Sequence, residues 1–395
     1  MRTAKLKDIT LTITDGKHGD CKNHDGSGYY FISCKDVYDE TIHYENARQI
    51  TEDDFRDADR RTNLAAYDIL ITNSGTIGRM ALVKDIPETR KTTFQKSVAI
   101  VRADTSQVVP NYLYYLLKSK VHDFINSSNG SAQKNLLLST MRDFDISFVD
   151  SFETQHRIAS ILSRYDSLIE NYQKQIKLLE EAAQRLYKEW FIDLHFPGHE
   201  NTKIVDGLPE GWERKSVGEI GEYLNGFAFK PSDWQELGKP IIKIKEMGNG
   251  VTNDTPRNNG ERVPAKYLIK AGDLLFSWSA TLMVIIWSGE DGWLNQHLFK
   301  VTPAKGINRE FLLQSISNTI VEFQNLTTGS TMKHIQRNKL DQVFVNVPNA
   351  EIMKRYTDIS EKTRSNILSL QSQLRLLTEA RDRLLPKLMS GEITV

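Results

Sequence analysis

The sequence of 395 residues is short of several features that define whole classes of proteins. Its two cysteines, Cys21 and Cys34, are too few for a disulfide framework and argue against a cysteine-based zinc site. No apolar run approaches the eighteen or so residues that a membrane span needs, and the N-terminus lacks the apolar core of a signal peptide. We therefore expect a protein of two or three domains in a reducing, cytoplasmic location, with no membrane partner.

Net charge is also lacking, because 51 lysines and arginines balance 51 aspartates and glutamates. This balance is mildly adverse to binding nucleic acid, since contacts to phosphates require basic side chains. The charges are unevenly distributed, however, with acidic residues crowded at 52–59 and basic residues at Lys5, Lys7 and Lys17. A mixed, solvated surface accounts for the composition equally well, so net charge decides neither for nor against a DNA-binding surface.

Motifs for catalysis are missing as well. The sequence has neither a phosphate-binding loop with its Lys-Ser/Thr pair nor the Asn/Asp-Pro-Pro-aromatic signature of adenine methyltransferases. The nine histidines are dispersed without metal-ligand spacing, and the Gly-x-x-Gly match at 75–78 is of a kind common in ordinary turns. We expect a chain that is not an enzyme and that binds no cofactor or metal ion of its own.

What the sequence does contain is an internal repeat. Three segments of the first half match three of the second: 66–71 with 271–276, 73–76 with 278–281, and 129–134 with 328–333. After the last matched segment, each copy alternates apolar and polar residues around Ile146 and around Val345, which is typical of a strand with one buried face. The repeat therefore predicts two globular domains of the same fold.

Both copies end in a heptad pattern of apolar residues, which is typical of a long helix packed against another helix. The first pattern continues from Ile158 to Trp190 and the second from Tyr356 to Leu388. Each predicts a helix of roughly 35 residues, about 50 Å long at 1.5 Å per residue. Pro386 is expected to kink or end the second helix. If a two-fold axis relates the halves, the helices run antiparallel.

A stretch rich in proline and glycine, residues 195–213, marks the boundary between the two halves. The predicted boundaries are 1–151 for the first domain, 152–193 for the first long helix, 194–348 for the second domain and 349–395 for the second long helix.

The pattern as a whole resembles the specificity (S) subunit of a type I restriction-modification system. The resemblance covers essentially the full chain, and the features that carry it are the duplicated domain-plus-helix layout, the motif Leu-Pro-Glu-Gly-Trp at 208–212, the loop at 75–78, the Gly-Ser turns at 130–131 and 329–330, and the C-terminal stretch 383–393. The second domain departs from the loop pattern, because Ser-Ala-Thr-Leu-Met at 279–283 stands where the first domain has Gly-x-x-Gly.

This resemblance implies an α+β fold with two mixed α/β target-recognition domains, related by pseudo-two-fold symmetry and joined by two long antiparallel helices that form a coiled coil. Each domain would read one half of a bipartite, asymmetric target in double-stranded DNA, and the helices would set the spacing. Two modification (methyltransferase) subunits would dock on the chain, and restriction (translocase) subunits would join them. S-adenosylmethionine, ATP and Mg²⁺ would then be bound by those partner subunits.

Polar and basic residues in the loops expected at the edge of each domain that faces the DNA groove are the candidates for DNA contact. In the first domain they are Lys17, His18, Asn73, Ser74, Thr76, Arg79, Gln95, Lys96, Ser131, Gln133 and Lys134. In the second they are Asn225, Lys243, Lys245, Ser277, Ser279, Gln296, His297, Ser330 and Lys333. Gln95 and Gln296 follow similar positions in each repeat and could read adenine edges. For each residue the alternative is an ordinary solvated loop side chain.

Three aromatic residues near the end of the first helix, Tyr187, Trp190 and Phe191, are candidates for the surface that docks a modification subunit. The alternative is that they close the contact between the two helices inside the chain.

Two other functions compete with sequence recognition. A coiled-coil scaffold or oligomerisation protein without specific DNA binding would explain the helices, but it gives no reason for two domains with matched turns. A single-chain methyltransferase is disfavoured by the missing cofactor and catalytic motifs.

Overall fold

The structure is a computed structural model that describes residues 1–128, 135–326 and 337–395. It divides into two compact units, residues 1–169 with 377–395 (unit 1) and residues 170–376 (unit 2). Each unit therefore contains a section of both long helices. In the ranges described, no helix is both long and apolar enough to cross a membrane.

Unit 1 is built on an antiparallel four-stranded sheet in the order β2-β9-β6-β7. Three shorter pairs accompany it: β1 antiparallel to β10, β3 parallel to β8 and β4 antiparallel to β5. The strands are β1 (Arg2–Lys5), β2 (Thr10–Asp15), β3 (Tyr30–Ile32), β4 (Val37–Tyr38), β5 (Thr41–Ile42), β6 (Ile69–Thr72), β7 (Met80–Leu82), β8 (Thr92–Phe94), β9 (Val98–Ala103) and β10 (Asp145–Phe148). The helices are α1 (Glu52–Thr62), α2 (Pro110–Ser119), α3 (Val121–Asn126), α4 (Leu138–Arg142) and α5 (Phe152–Tyr187), and α5 continues into unit 2.

Unit 2 repeats this topology with the four-stranded antiparallel order β14-β21-β18-β19. The accompanying pairs are β13 antiparallel to β22 and β15 parallel to β20. Its strands are β11 (Ile204–Val205), β12 (Leu208–Pro209), β13 (Glu213–Ser216), β14 (Gly221–Asn225), β15 (Lys239–Ile242), β16 (Arg257–Asn258), β17 (Leu268–Ile269), β18 (Leu274–Ser277), β19 (Met283–Ile286), β20 (Gly292–Leu294), β21 (Leu298–Pro303) and β22 (Phe344–Val347). The helices are α6 (Ile244–Asn249), α7 (Arg309–Asn325) and α8 (Ala350–Ser390), and α8 ends in unit 1.

The central strand of each sheet is buried on both faces, which explains its continuous apolar sequence. In β6, Ile69 and Ile71 contribute to one hydrophobic core and Leu70 to another. In β18, Leu274 and Phe276 likewise face one core while Leu275 faces the other. The predicted repeat and the α+β class are confirmed, since both units place the same strands in the same order.

The long helices run antiparallel inside each unit. In unit 2 a π-helical turn, Lys188–Ile192, continues α5 and meets the start of α8, because the ring of Tyr356 lies 6.0 Å from that of Trp190. In unit 1 the start of α5 meets the end of α8, where Leu162 and Leu388 share one core. The helices contain 36 and 41 residues, somewhat more than the heptad pattern predicted.

Pro386 does not end the second helix, which was one of the two outcomes expected for it. Helix α8 continues through Pro386 to Ser390. The last turn is held in place because Leu385, Leu388 and Met389 are buried in the core of unit 1, which offsets the backbone hydrogen bond that proline cannot make. The helix ends at Gly391, whose φ of +77° is the left-handed conformation typical of a helix C-terminus.

A buried charge network fixes the end of α8 in unit 1. The guanidinium of Arg381 lies 2.7 Å from Asp166 on α5 and 2.9 Å from Glu40, and only 7% of its side chain is exposed. Burial opposes the charged form, but the carboxylates of Glu40 and Asp166 outweigh it and raise the pKa of Arg381. The network therefore depends on a cation supplied from the end of α8.

We predict that Arg381→Met destabilises unit 1 strongly, because Asp166 loses a buried counter-charge. The expected loss is about 3–5 kcal/mol of unfolding free energy, measured in urea. The matched control is Arg383→Met on the same helix, whose ion pair with Glu379 is exposed by 77% and 42% and should cost about 0.5 kcal/mol or less. Equal losses in the two variants would contradict the proposed importance of the buried network.

Candidate nucleic-acid interface

A glycine at the end of the first strand of each four-stranded sheet marks the start of the site. Gly16 follows β2 and Gly226 follows β14. A Cβ atom on Gly16 would lie 2.0 Å from the carbonyl oxygen of Phe94, and one on Gly226 would lie 2.1 Å from that of Asn295. Only glycine therefore lets the chain pass so close to the corner that precedes β9 or β21.

The loop after β6 is closed by the hydroxyl of Thr72. This hydroxyl donates to the carbonyl oxygen of Thr76 and accepts a hydrogen bond of 2.9 Å from the backbone amide of Arg79. Within the loop, Gly75 has a φ of +75°, in the left-handed region. The loop is thus pinned at its base, and Thr76 and Arg79 are exposed.

The loop after β18 is closed in the same way. The hydroxyl of Ser277 donates to the carbonyl oxygen of Thr281 at 2.5 Å and accepts from the amide of Met283 at 2.9 Å. Ala280, with a φ of +56°, takes the left-handed position that Gly75 has in unit 1. The second domain therefore has the left-handed turn of the first domain, although its sequence departs from the glycine loop pattern. The Cβ atom of Ala280 makes this left-handed conformation strained.

A third loop, the corner before β9 or β21, lies against the first two. The amide of Gln95 donates to the carbonyl of Ile32 at 2.9 Å, and the amide of Asn295 donates to that of Ile242 at 3.2 Å. Gln95 is therefore matched by Asn295, which corrects the expectation that Gln296 holds the equivalent position. Gln296 is one residue further along its corner, so the two glutamines occupy different positions relative to the sheet.

Backbone contacts bring these loops of unit 1 together. The amide of Asn73 donates to the carbonyl of Ser97 at 3.1 Å, that of Lys96 donates to Lys17 at 3.2 Å, and that of Leu136 donates to Asn73 at 2.8 Å. We call the resulting surface the unit 1 loop cluster, which consists of residues 16–18, 73–79 and 95–97. The sequence-predicted residues of the first domain that the structure describes all belong to it.

The corresponding surface in unit 2 is organised around an indole. Trp278 donates from Nε1 to Oδ1 of Asn225 at 3.1 Å, and its ring lies 5.7 Å from that of His297. We call residues 225–227, 278–282 and 295–297 the unit 2 loop cluster. Lys243 lies next to it, because it follows Ile242, which accepts the hydrogen bond from Asn295.

The predicted residues of unit 1 differ in how accessible they are. His18, Thr76, Arg79 and Lys96 are exposed, and Ser74 and Gln95 are half-buried. Lys17 is engaged within the unit, since its Nζ lies 3.0 Å from Asp57 and the bond to that carboxylate raises the pKa of Lys17. Asn73 is buried, and its Oδ1 has no hydrogen-bond partner among the residues that the structure describes. Ser131, Gln133 and Lys134 lie outside the described residues.

The predicted residues of unit 2 also divide by exposure. Asn225 and Lys245 are exposed, and Lys243, Gln296 and His297 are half-buried. Ser277 and Ser279 are buried, and the bonds of the Ser277 hydroxyl lie inside its turn. We therefore remove these two serines from the candidates for DNA contact. Nδ1 of His297 is buried without a partner, as is Oδ1 of Asn73 in the other cluster. Ser330 and Lys333 lie outside the described residues.

Each cluster thus presents hydrogen-bonding groups on loops anchored to a rigid sheet. Guanidinium, ammonium, amide and imidazole groups can pair with base edges and phosphates. Groups of three or more His, Cys, Asp or Glu side chains that could hold a metal ion do not occur within residues 1–128, 135–326 and 337–395. Side chains of this kind suit recognition rather than bond-breaking chemistry.

Comparison with protein families gives the decisive observation. The model of the type I restriction modification DNA specificity domain matches the chain twice, over residues 3–181 and 209–374. Together these matches cover most of the chain.

The chain belongs to this family. It is a specificity subunit, which is a non-catalytic kind of subunit. The chain is 27% identical over 399 residues to the MjaIX specificity subunit of Methanocaldococcus jannaschii, with 95% of this chain and 89% of that protein covered. It is 23% identical to the HindI specificity subunit of Haemophilus influenzae, covering 74% of this chain and 80% of that protein.

A solved structure supports the fold of the specificity subunit. The crystal structure of a type I restriction-modification S subunit from M. genitalium superimposes with a TM-score of 0.58 at 16% sequence identity. The superposition covers 98% of this chain and 96% of the other. The duplicated domain architecture is therefore that of known S subunits.

The docking role predicted for the three aromatic residues at the end of α5 and in the turn that continues it requires correction. In this specificity subunit Tyr187, Trp190 and Phe191 are 3%, 7% and 2% exposed. Phe191 packs with ring centroids 4.9 Å from both Phe311 of α7 and Tyr356 of α8. The three side chains belong to the core of unit 2 and are not available to a partner. The alternative considered for them, closing the contact between the two long helices, describes only part of this packing.

Asn295 and Trp234 are two residues of the specificity subunit that sequence reasoning missed. Asn295 was passed over because its neighbour Gln296 offered a closer chemical match to Gln95. Trp234 lies in a loop between β14 and β15 for which the repeat offered no counterpart. Its 48% exposure, unusual for an indole, is visible only in the structure.

We predict that Ser277→Ala weakens the specificity subunit without changing the DNA sequence it selects. Loss of the buried hydroxyl leaves the Met283 amide unpaired and should cost about 1–3 kcal/mol of unfolding free energy in urea. Thr281→Ala is the matched control, since it retains the carbonyl that Ser277 bonds, and it should cost about 0.5 kcal/mol or less. A changed target sequence in Ser277→Ala would restore this residue as a DNA contact.

Proposed function

We propose that each unit of this specificity subunit reads one half of a bipartite, asymmetric target in double-stranded DNA through its loop cluster. The observation that carries the proposal is the match between the clusters. Both units place three equivalent loops at the same end of the equivalent four-stranded sheet, yet the exposed side chains of these loops differ. A shared backbone with different side chains is what two readers of different half-sites require.

The long, accessible polar side chains are the ones proposed to contact the bases. Arg79 in unit 1 has the geometry to pair bidentately with guanine in the major groove. Gln95 in unit 1 and Gln296 in unit 2 are suited to adenine, whose N6 and N7 match a carboxamide. Lys96 and Lys245 are exposed and would bind phosphates, which fix the register but carry no sequence information.

The family supports the proposed partners. We propose that two modification subunits, with S-adenosylmethionine, dock on the chain and that restriction subunits join them with ATP and Mg²⁺. The proposed docking surface is the exposed apolar part of the long helices in unit 2, at Leu178, Ile359 and Leu376, each at least 44% exposed. These helices also act as the spacer between half-sites. The proposed location is the cytoplasm, where the DNA to be modified is accessible.

A scaffold without specific DNA binding remains the competing function. The long helices alone agree with either function. The matched loop clusters favour sequence recognition, since a scaffold needs neither the hydroxyl-pinned turns nor the polar residues they display.

Selection from a random DNA library tests the proposal. The full-length chain, assembled with its modification subunits, should enrich a motif of two specific half-sites around an unspecific spacer. Arg79→Ala should relax one half-site, and Gln296→Ala should relax the other, at a cost of about 1–3 kcal/mol for each lost base contact. Enrichment of no motif would favour the scaffold, while relaxation of both half-sites by one substitution would contradict the assignment of one half-site to each unit.

The salt dependence of DNA binding provides a separate test. Lys96→Ala should reduce the slope of log K against log salt by about 0.9, because one phosphate contact is lost. Lys17→Ala is the matched control and should change the slope little, since this ammonium is already paired with Asp54 and Asp57. Affinities measured between 50 and 200 mM salt, a range of roughly fourfold, distinguish the two lysines. A larger effect from Lys17 would mean that DNA displaces its carboxylate partners.

A further inference from the structure

A loop in unit 2 holds two large apolar side chains in solvent. Trp234 is 48% exposed and Leu237 is 81% exposed. Both lie between β14 and β15, immediately after a short 3₁₀ turn at Pro231–Asp233. An indole and a leucine exposed three residues apart in one loop lose the free energy that their burial would provide, so their placement calls for an explanation.

The loop is anchored rather than loosely folded. The amide of Gln235 donates to the carbonyl of Arg257 at 2.9 Å, and its side-chain Oε1 accepts from the amide of Asn259 at 2.7 Å. Nδ2 of Asn258 donates to the carbonyl of Asp233 at 2.7 Å. A Cβ atom on Gly238 would lie 2.3 Å from the carbonyl oxygen of Asn258, so the chain returns tightly against β16. The two apolar side chains are therefore presented by a fixed backbone.

Positive charge lies beside these side chains. Nζ of Lys243 lies 4.6 Å above the centroid of the Trp234 ring, a cation–π contact. Residues 230–245 contain four lysines against one aspartate and one glutamate. An apolar protein surface would not require this excess of cations, whereas a polyanion would.

The loop also adjoins the unit 2 loop cluster. Lys243 directly follows Ile242, whose carbonyl accepts a hydrogen bond of 3.2 Å from the amide of Asn295. Lys243, whose Nζ contacts the indole of Trp234, is therefore the first residue after β15, the strand that supports the cluster. A duplex bound at the cluster would bring its bases and phosphates within reach of the same loop.

We propose that Trp234 and Leu237 form an apolar wedge that packs against an unstacked base step of the DNA bound by unit 2. The flat face of a base offers the indole a stacking surface that is independent of sequence. Leucine is among the side chains that proteins insert between base pairs, and unstacking there bends the duplex. Lys243 would hold the adjoining phosphate while it fixes the indole. This inference rests on the proposed function, because it requires unit 2 to bind DNA.

Fluorescence of 2-aminopurine tests the wedge, since its emission rises when the base is unstacked. The probe is placed in turn at each position of the selected duplex, which is saturated with the full-length chain. We expect enhanced emission at one step of the half-site that Gln296 reads. Trp234→Ala and Leu237→Ala should return that emission to the level of free DNA and weaken binding about tenfold, while the selected sequence stays the same.

The matched control is Phe344→Ala. Phe344 is an aromatic residue of unit 2 with 46% exposure, and the guanidinium of Arg214 lies 5.7 Å from its ring centroid, but it belongs to β22, which pairs with β13. This variant should behave as the unaltered protein does. Because all three side chains are partly or largely exposed, each variant should fold, which circular dichroism can verify.

Several outcomes would overturn the wedge. One is emission and affinity in Trp234→Ala and Leu237→Ala that equal those of Phe344→Ala. Another is unchanged emission together with weaker retention of the modification subunits, which would make the loop a protein-docking surface. A wild-type chain that selects a bipartite target but unstacks no base would overturn the wedge alone. A chain that selects no target at all would overturn the proposed function and the wedge with it.

Discussion

The core of each unit is completed by a segment of, or a turn continuing, the long helix that follows the other domain in the sequence. Unit 1 takes Leu385 and Leu388 from the end of α8, and unit 2 takes Trp190 and Phe191 from the π-helical turn that continues α5. The sheets cannot close these cores alone, because one face of each would remain exposed. The antiparallel course of the long helices follows from this reciprocal supply, and so does the fixed position of each sheet from which the recognition loops project.

Charge reinforces the reciprocal packing differently in the two units. In unit 1, Arg381 of α8 pairs with Asp166 of α5 and with Glu40. In unit 2, Arg364 of α8 instead pairs bidentately with Glu310 of α7, at 2.8 and 2.9 Å. Both arginines are buried, and a buried ion pair is better suited to fixing one arrangement than to adding stability. The two units thus both bury apolar residues of the long helices in their cores, but they differ in their buried ion pairs.

The repeat, the fold class and the heptad helices could be predicted from sequence because each depends on a periodic pattern of apolar residues. Strands β10 and β22 lie where the alternation around Ile146 and Val345 placed them. Local rules were less reliable where tertiary packing intervened. Pro386 stays inside a helix because the turn that contains it is buried against unit 1, and Tyr187 was mistaken for a surface residue because a heptad pattern does not say which partner covers it.

The candidate recognition surface was predictable as a set of loops but not residue by residue. The sequence indicated loops that the structure brings together in each unit, and the backbone turns of these loops are shared. It could not show that Ser277 uses its hydroxyl inside the turn, that Lys17 is neutralised by Asp57, or that Asn295 rather than Gln296 corresponds to Gln95. These properties depend on where side chains point, and a one-residue shift at a corner reverses them.

The reciprocal supply of helix segments has a consequence for how the protein is made. A ribosome synthesises residues 1–169 first, and an N-terminal domain usually folds as soon as it has emerged. Here the first-made unit lacks Arg381, Leu385 and Leu388 until all of unit 2 has been translated. Unit 1, whose synthesis begins first, is therefore the unit whose folding is completed last. Until then its open apolar face would be a natural substrate for chaperones.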